Sequence, residues 1–201
     1  MKFLLIATLI SLALAGKENF PYGINVEWHF VGEEAIVFTL NVPDIVYTTW
    51  AWAGFGLKDA HESDLSMGHS DLFTMYFDGS VLDDRHGVGD LLPPIDYKKG
   101  GTNDLNLLSE VHEDGFHKFS WQRALITGDI LDIALRKNEE YIMMWAVGQS
   151  YDGGPISHTP WNRGREYITL SEDYLDDSSD DCKGNGDGSY VQPENTLVSV
   201  N

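Results

Sequence analysis

The chain has 201 residues, of which 42% are hydrophobic and 22% are charged, and its formal net charge is −19 at pH 7. This length suits one domain with a substantial core, and the acidic balance argues against nucleic acid and anionic membranes as partners. Cys182 is the single cysteine, so the chain has no intrachain disulfide and depends on its core for stability. The thiol is either free or linked to another molecule.

Residues 1–15 have the three parts of a secretory signal peptide. Lys2 gives a positive start, residues 3–12 form an apolar run too short to span a bilayer well, and Ala13-Leu14-Ala15 is a small-residue cleavage site. No other segment approaches a transmembrane length. We therefore expect a secreted, extracellular protein whose mature chain has no transmembrane segment.

Period-two alternation of apolar and polar residues predicts a series of strands in the first half of the chain. These strands are predicted at 24–30, 35–42, 50–57, 71–77 and 80–85. Gly54 and Gly56 lie inside the third of them. Glycine within a strand indicates the close approach of a bound group or a packed aromatic ring, or else a bulge.

The second half continues the all-β pattern. Residues 105–112 and 116–123 flank Asp114-Gly115, a typical hairpin turn, and further strands are predicted at 141–148 and 165–170. The strand 141–148 is apolar throughout, as expected for a strand covered on both faces. The pattern predicts an all-β fold, an immunoglobulin-like antiparallel β-sandwich of about nine or more strands.

The composition changes after residue 171. Residues 172–201 contain eight acids against one base, Lys183, and few apolar side chains to offset the entropy of an ordered chain. We therefore assign the β-sandwich domain to residues 20–171 and expect an acidic, flexible tail at 172–201.

Known catalytic motifs are missing from the sequence. It has no GxSxG elbow, HExxH pair, P-loop or GxGxxG after a strand. Carboxylates are abundant, but in so acidic a chain a pair such as Asp83-Asp84 is expected to face solvent. We therefore expect no enzymatic activity of the chain's own.

Histidines give a first candidate for a metal site. His61 and His69 share a loop with Asp64 and Asp71, and imidazole with carboxylate ligands suits a transition metal. No fixed helical spacing holds these four residues in place. For His29, His112 and His117, which lie on a polar strand face or beside a hairpin turn, surface positions are the expectation.

Met67 and His158 are a second candidate pair. Met67 lies in the polar loop 63–69, where no strand or helix periodicity requires an apolar residue, and His158 lies in a later loop. A thioether paired with an imidazole can hold a haem iron in the low-spin state and raise its potential. Structural roles explain each residue taken alone. Met75 is the next candidate for the sulfur, although its place in a strand indicates core packing.

A series of short motifs resembles one family over residues 20–171. The motifs are Ala53-Gly54-Phe55-Gly56, Met67-Gly68, Ser70-Asp71-Leu72-Phe73, Asp84-Arg85, Pro93-Pro94 with Asp96, Gly100-Gly101, Asn103-Asp104-Leu105, Asp114-Gly115, Trp121-Gln122-Arg123, Thr127-Gly128-Asp129, Trp145-Ala146-Val147-Gly148, and His158 with Asn162-Arg163-Gly164. In this order they resemble the DOMON domain, an extracellular β-sandwich that binds haem or sugar. It is known from the cytochrome domain of cellobiose dehydrogenase and the N-terminal domain of dopamine β-hydroxylase-like proteins.

The resemblance implies haem b as a noncovalent cofactor, held by Met67 and His158 as axial ligands of the iron. Further contacts are expected from Trp52, Phe55, Trp145 and Arg163. The protein would then pass electrons to an extracellular redox partner protein, since it lacks the catalytic domains that accompany DOMON in hydroxylases.

Two other functions stay open. The same pocket could recognise a carbohydrate or other small extracellular ligand, with stacking platforms among Trp50, Trp52, Trp145 and Trp161. Alternatively, the acidic loop from Asp59 to Asp71 could hold calcium or a transition metal in a structural role.

Overall fold

The computed structural model describes residues 16–79, 81–89, 91–151, 154–156 and 158–171. The predicted signal peptide, the acidic tail and Cys182 therefore lie outside the described residues, and those expectations stay predictions.

The described chain forms two antiparallel five-stranded sheets that pack face to face. The strands are β1 (Gly16–Asn19), β2 (Asn25–Val31), β3 (Ala35–Pro43), β4 (Trp52–Asp59), β5 (Asp71–Tyr76), β6 (Val81–His86), β7 (Asn106–Glu113), β8 (Phe116–Ala124), β9 (Glu140–Gly148), β10 (Ser150–Tyr151), β11 (Gly154–Pro155) and β12 (Arg163–Thr169). The first sheet has the order β1-β2-β3-β8-β7, and the second has the order β12-β9-β4-β5-β6. The strands β10 and β11 form a separate small hairpin. The predicted all-β sandwich is confirmed.

Helical structure in the described residues is short. The helix α1 (Asp44–Thr49) follows β3, and two 3-10 helices span Pro21–Gly23 and Asp96–Lys99. No helix in the described part of the chain has the length and apolar character needed to cross a membrane.

The core lies between the two sheets and is rich in aromatic rings. Phe38 of the first sheet packs against Phe55 and Phe73 of the second, with ring centroids 5.2 and 5.7 Å apart. Trp121 completes the group at 5.5 Å from Phe55. These residues occupy alternate positions in their strands, which is why period-two alternation predicted the strands correctly.

Predicted surface positions are mostly buried at three residues: the side chains of Asp83 and His117 are 15% and 17% exposed, and Asp84 is fully buried. Asp84 was expected to face solvent with Asp83, but its side chain is fully buried. The reason is strand parity: Asp84 is paired with Phe73 across β5 and β6, so it points toward the core, where Arg123 lies. Asp83 points the other way and pairs with Arg85 at 2.7 Å.

Candidate functional site

A cavity of about 600 Å³ lies over the outer face of the second sheet. Phe55 and Leu57 of β4 belong to the core, so the alternating Gly54 and Gly56 face outward and form part of the cavity floor. Ala146 of β9 lies beside Gly54 and also lines the cavity. The floor is therefore bare of long side chains at Gly54 and Ala146, whereas the Leu72 side chain lies over Gly56, 2.2 Å from where its Cβ would be.

Backbone packing also requires Gly54 and Gly56. A Cβ atom on Gly54 would lie 2.6 Å from the carbonyl oxygen of Phe73, and one on Gly56 would lie 2.7 Å from that of Asp71. Both oxygens belong to β5, so the close approach of β4 and β5 excludes a side chain at either position. The sequence pattern had indicated a bound group, a packed ring or a bulge as the reason for these glycines. The close neighbouring strand β5 is a further reason for them.

Three loops form the walls of the cavity. The loop between β4 and β5 contributes Met67, the loop after β6 contributes Leu91 and Leu92, and the loop between β9 and β12 contributes Ile156 and His158. Leu91 and Leu92 are 69% and 56% exposed. Exposed apolar side chains around a concave site are typical of a surface that a ligand covers.

Lys58 supports the Met67 loop from the sheet below. Its side chain is 1% exposed, and Nζ donates to the carbonyl oxygens of Gly68 at 2.6 Å and Ser66 at 3.3 Å. Two carboxylates of the same loop lie within 3.7 Å of Nζ and balance its charge. Met67 is therefore flanked by two anchored carbonyl groups. The sequence patterns did not single out Lys58.

The Met67 loop is also joined to the loop after β6. The Ser70 hydroxyl donates to the Met67 carbonyl oxygen, the His69 N–H donates to Gly87 O at 3.0 Å, and the Gly87 N–H donates to Ser70 O at 2.8 Å. A Cβ atom on Gly87 would collide with the Met67 carbonyl group. Glycine at this position therefore allows the two wall loops to meet.

His158 lines the cavity, and its Nδ1 atom is turned away from solvent beside the peptide groups of His158 and Thr159. The ring is half-buried, and its Nδ1 atom makes no hydrogen bond to any described residue. Burial lowers the pKa of His158, and the positive charge of Arg163 lowers it further, against the opposing effect of nearby peptide groups. The lowered pKa favours the neutral imidazole, which is the form that coordinates a metal ion.

Asn162 holds the loop that carries His158. Its side chain is buried, Nδ2 donates to Val147 O at 3.0 Å, and Oδ1 accepts hydrogen bonds from the N–H of Thr159, at 3.1 Å, and from its hydroxyl. The Val147 N–H in turn donates to Asn162 O at 3.0 Å. The loop is thus fastened to β9 close to His158.

The cavity carries positive charge in an otherwise acidic protein. Arg85, Arg163 and Arg165 line it, whereas Asp64 is the one acid among its described lining residues. Arg85 and Arg165 donate to backbone carbonyls of the wall loops at 2.7 and 2.8 Å. No hydrogen bond or ion pair joins the Arg163 side chain to another described residue. Its guanidinium is therefore available to an anionic group of a ligand.

The structure brings the predicted cofactor-binding residues together. One cavity is lined by Met67, His158, Trp52, Phe55, Trp145 and Arg163. Phe55 and Trp145 also belong to the core and are almost fully buried. This arrangement agrees with a shared site, while the role of each residue as a ligand stays a prediction.

Met144 is a cavity methionine that sequence reasoning missed. It is paired with Gly56 across β4 and β9, faces outward and lines the cavity. Because the strand is apolar on both faces, no periodicity distinguished Met144 from a core residue. Met75, the alternative sulfur considered from the sequence, is fully buried in the core.

His61 and His69 lie outside this cavity. His61 Nδ1 lies 3.0 Å from Asp59 Oδ1, and His69 Nδ1 lies 3.3 Å from Glu62 Oε2. Both rings are largely exposed. Each histidine pairs with a different carboxylate, and neither belongs to a group of three ligating side chains among the described residues.

A second polar group is buried around Arg123. The Arg123 side chain is fully buried and lies 2.6 Å from Asp71 and 3.4 Å from Asp132. Asp84 and Asp96 are also fully buried nearby. The group therefore contains one cation and four carboxyl groups, two of which contact the cation, and this excess of negative charge requires protonation or a further cation.

The ionisation of these carboxyl groups is strongly perturbed. Burial, with repulsion from neighbouring acids, raises the pKa of Asp84 to about 8 and that of Asp96 to about 7. The pKa of Asp71 is also raised well above its usual range, chiefly by burial. Asp84 Oδ1 has no hydrogen-bond partner among the described residues.

Two sets of carboxylates have the spacing of cation ligands. Asp71, Asp84 and Asp132 place ligand oxygens within 4.8 Å of one another, and so do Asp96, Asp129 and Asp132. An all-oxygen set of this kind suits a hard cation such as Ca²⁺. The sequence missed the group because its members come from separate strands and loops.

The sandwich and its concave, partly apolar site define the class of this protein as an all-β ligand-binding module. Comparison with known families gives the next step: the family model described as "DOMON domain" matches residues 22–148, and the chain belongs to this family. No curated protein sequence matches the chain. A solved structure from Bacteroides uniformis, described as a "putative carbohydrate-binding protein", has 11% sequence identity and a TM-score of 0.38. The match covers 75% of this chain and 83% of that one.

Proposed function

We propose that the cavity binds haem b without a covalent bond and that the protein carries single electrons outside the cell. The observation that carries the proposal is that Met67 and His158, presented by different loops, line one cavity. When bound, a haem with this ligand pair supplies a low-spin iron of raised reduction potential. The extracellular location rests on the predicted signal peptide.

The residues of the cavity fit such a group. His158 lines the cavity, and burial lowers its pKa, which favours the neutral imidazole that a metal ion needs. Gly54 and Ala146 leave part of the floor free of long side chains, and the volume of about 600 Å³ is within the usual range of small-molecule sites. Arg163 offers a guanidinium to a carboxylate, and haem b carries two propionate carboxylates.

The surrounding chain positions these groups. Lys58 holds the Met67 loop and Asn162 holds the His158 loop, so both candidate ligands are presented by anchored backbone. Leu91 and Leu92 would exclude water from the ligand at the mouth of the cavity. The protein would act as an electron carrier that exchanges electrons with a redox partner protein and needs no catalytic group of its own.

Hemin titration of the purified protein tests this function. We expect one hemin per chain, a sharp Soret band, and visible bands after reduction. Met67→Ala and His158→Ala should each lose the low-spin spectrum while keeping the thermal melt of a folded protein. The matched controls Met144→Leu and His61→Gln should keep the spectrum. A wild-type protein that remains colourless with excess hemin contradicts the proposal.

A non-redox function in carbohydrate recognition is the second candidate. Trp161 is 84% exposed and follows Pro160, which lines the cavity. An exposed indole face is a suitable platform for a sugar ring. Trp52 and Trp145 are less suited, because their side chains are almost fully buried.

The two candidates respond to different substitutions. If the ligand is a sugar, quenching of tryptophan fluorescence by oligosaccharides should be lost in Trp161→Ala and kept in Met67→Ala and His158→Ala. The absence of quenching by oligosaccharides in the wild type excludes the second candidate.

A structural cation is the third candidate, and the buried carboxylates favour it. The sequence pointed to the acidic loop from Asp59 to Asp71, but in the structure Asp71 alone of that segment joins a group of three ligating side chains among the described residues. Its neighbours are Asp84 and Asp132. A Ca²⁺ ion there would balance charge that Arg123 leaves uncompensated.

A further inference from the structure

We propose that Asp44, His112 and His117 form a surface site for one divalent transition-metal ion, with Zn²⁺ or Cu²⁺ as the ions that its ligands favour. His112 Nε2 lies 2.9 Å and His117 Nε2 lies 3.5 Å from the same oxygen, Asp44 Oδ1. The three ligand atoms all lie within 4.8 Å of one another. None of these residues lines the cavity or belongs to the buried carboxylate group.

The fold fixes the spacing of the three residues. His112 and His117 are direct cross-strand partners in the β7–β8 hairpin, which turns at Asp114 and Gly115 with positive φ angles. The N–H of Asp44, at the start of α1, donates to Gly115 O at 3.0 Å. The hairpin turn and the carboxylate are thereby held together by the backbone.

Ring stacking holds one of the two imidazoles. The His117 ring lies 3.5 Å from the Tyr47 ring at an angle of 4°, and Tyr47 stacks in turn on Phe77 at 4.7 Å. Because Phe77 belongs to the core, this stack sets the plane of the His117 ring. The His117 Nε2 atom is therefore presented in a fixed direction.

The other imidazole has the freedom that coordination requires. The His112 ring is parallel to the His117 ring within 10°, with centroids 4.3 Å apart. Each nitrogen lone pair lies in its ring plane, and one ion cannot lie in two separate parallel planes, so coordination at about 2.0–2.1 Å from both nitrogens needs one ring to tilt. His112 can tilt because its side chain is 55% exposed.

The chemistry of the ligands selects the kind of ion. Burial and then the adjacent His112 lower the pKa of His117, while Asp44 and Glu110 act in the opposite direction. Two imidazoles and one carboxylate suit Zn²⁺ and Cu²⁺, whereas Ca²⁺ and Mg²⁺ prefer oxygen ligands alone. The exposed position leaves the remaining coordination positions to water.

Titration with Zn²⁺ against a chromophoric chelator, in excess Ca²⁺ to occupy oxygen-only sites, tests the proposal. We expect one Zn²⁺ per chain, bound at least tenfold more weakly by His112→Gln and by His117→Gln. Asp44→Asn should weaken binding to a smaller degree, because an amide oxygen is a poorer ligand than a carboxylate. The double variant His61→Gln/His69→Gln, which removes two other exposed histidines, should bind as the wild type does.

A second readout identifies the donor atoms. The electron paramagnetic resonance spectrum of the Cu²⁺ complex should show coupling to two imidazole nitrogens, reduced to one in each single histidine variant. The proposal is overturned if the wild type binds no Zn²⁺ at one equivalent. It is equally overturned if the His112→Gln and His117→Gln variants, folded by circular dichroism, bind Zn²⁺ as tightly as the wild type.

Discussion

Lys58 Nζ lies 2.6 Å from the carbonyl oxygen of Gly68, the residue that follows Met67. The lysine projects from β4 and is almost fully buried beneath the loop that it holds. A charged side chain is rarely buried unless it is paired, and here backbone carbonyls and loop carboxylates are the partners. The position of Met67 thus depends on a residue that lines neither the cavity nor its mouth.

Replacement of Lys58 should loosen the Met67 loop. Lys58→Met keeps the apolar stem but leaves the carbonyl groups of Ser66 and Gly68 without this donor. We expect a loss of about 1–3 kcal/mol in the free energy of unfolding and weaker hemin binding. Urea unfolding and hemin titration measure the two effects. Lys99→Met, at an exposed lysine, is the control, and equal hemin affinity in both variants would show that Lys58 does not position the site.

Asn162 should have the same importance for the His158 loop. Asn162→Ala removes its hydrogen bonds to Val147 and Thr159 and leaves the carbonyl oxygen of the buried Val147 without this donor. We expect a lower free energy of unfolding by about 1–3 kcal/mol and a shift of the hemin-loaded protein away from the low-spin spectrum. Asn106→Ala, on the exposed strand β7, is the matched control and should change neither quantity. An unaltered spectrum in Asn162→Ala contradicts the positioning role.

Arg163 should contribute electrostatic attraction to an anionic ligand. Arg163→Gln removes the guanidinium charge that no described side chain neutralises, so we expect hemin to bind several-fold more weakly at low salt. The difference from wild type should shrink as salt is added, because ions screen an exposed charge. Arg136→Gln, an exposed arginine outside the cavity, serves as the control. A weakening that does not depend on salt would point to lost packing instead.

The buried carboxyl groups predict a pH dependence of stability. The pKa of Asp84 is raised in the folded protein from 3.8 to about 8, so the folded form stays protonated where the unfolded chain ionises. The contribution of protonated Asp84 to the free energy of unfolding is complete below about pH 4. It is lost as the pH rises toward 8, at about 1.4 kcal/mol per pH unit. We expect chelator-treated protein to melt at a lower temperature at pH 8 than at pH 5.

Two comparisons isolate the origin of this pH dependence. Asp84→Asn, which cannot ionise, should flatten the slope, whereas Asp78→Asn at an exposed turn should not. Added Ca²⁺ should raise the melting temperature most at pH 8, where ionised carboxylates are the ligands. If Ca²⁺ has no effect and Asp84→Asn keeps the wild-type slope, ionisation of the buried carboxyl groups does not cause the pH dependence of stability.

Much of the fold follows from local sequence patterns. Alternation around Phe38, Phe55 and Phe73 predicted strands that the structure confirms, because one face of each strand packs into the core. The strand β1 could not be predicted in this way. Its sequence, Gly16–Asn19, has no apolar alternation, and its extended form depends on pairing with β2.

The site was predictable only where a residue type was unusual for its context. Met67 is an apolar residue in a polar loop, and His158 lies in the late loop where the family resemblance implies a ligand. Both residues line the cavity. Lys58 and Asp84 gave no such indication, because charged residues in an acidic chain are expected at the surface. Their burial depends on tertiary neighbours that local sequence does not reveal, namely the Met67 loop and Arg123.

Near-infrared magnetic circular dichroism of the oxidised, hemin-loaded protein identifies the iron ligands themselves, because methionine–iron ligation gives a characteristic charge-transfer band. We expect this band in the wild type and in Met144→Leu, and its loss in Met67→Ala and in His158→Ala. A hemin-loaded wild type without the band, or one in which Met144→Leu abolishes it, would contradict the assignment of Met67 and His158 as the ligand pair.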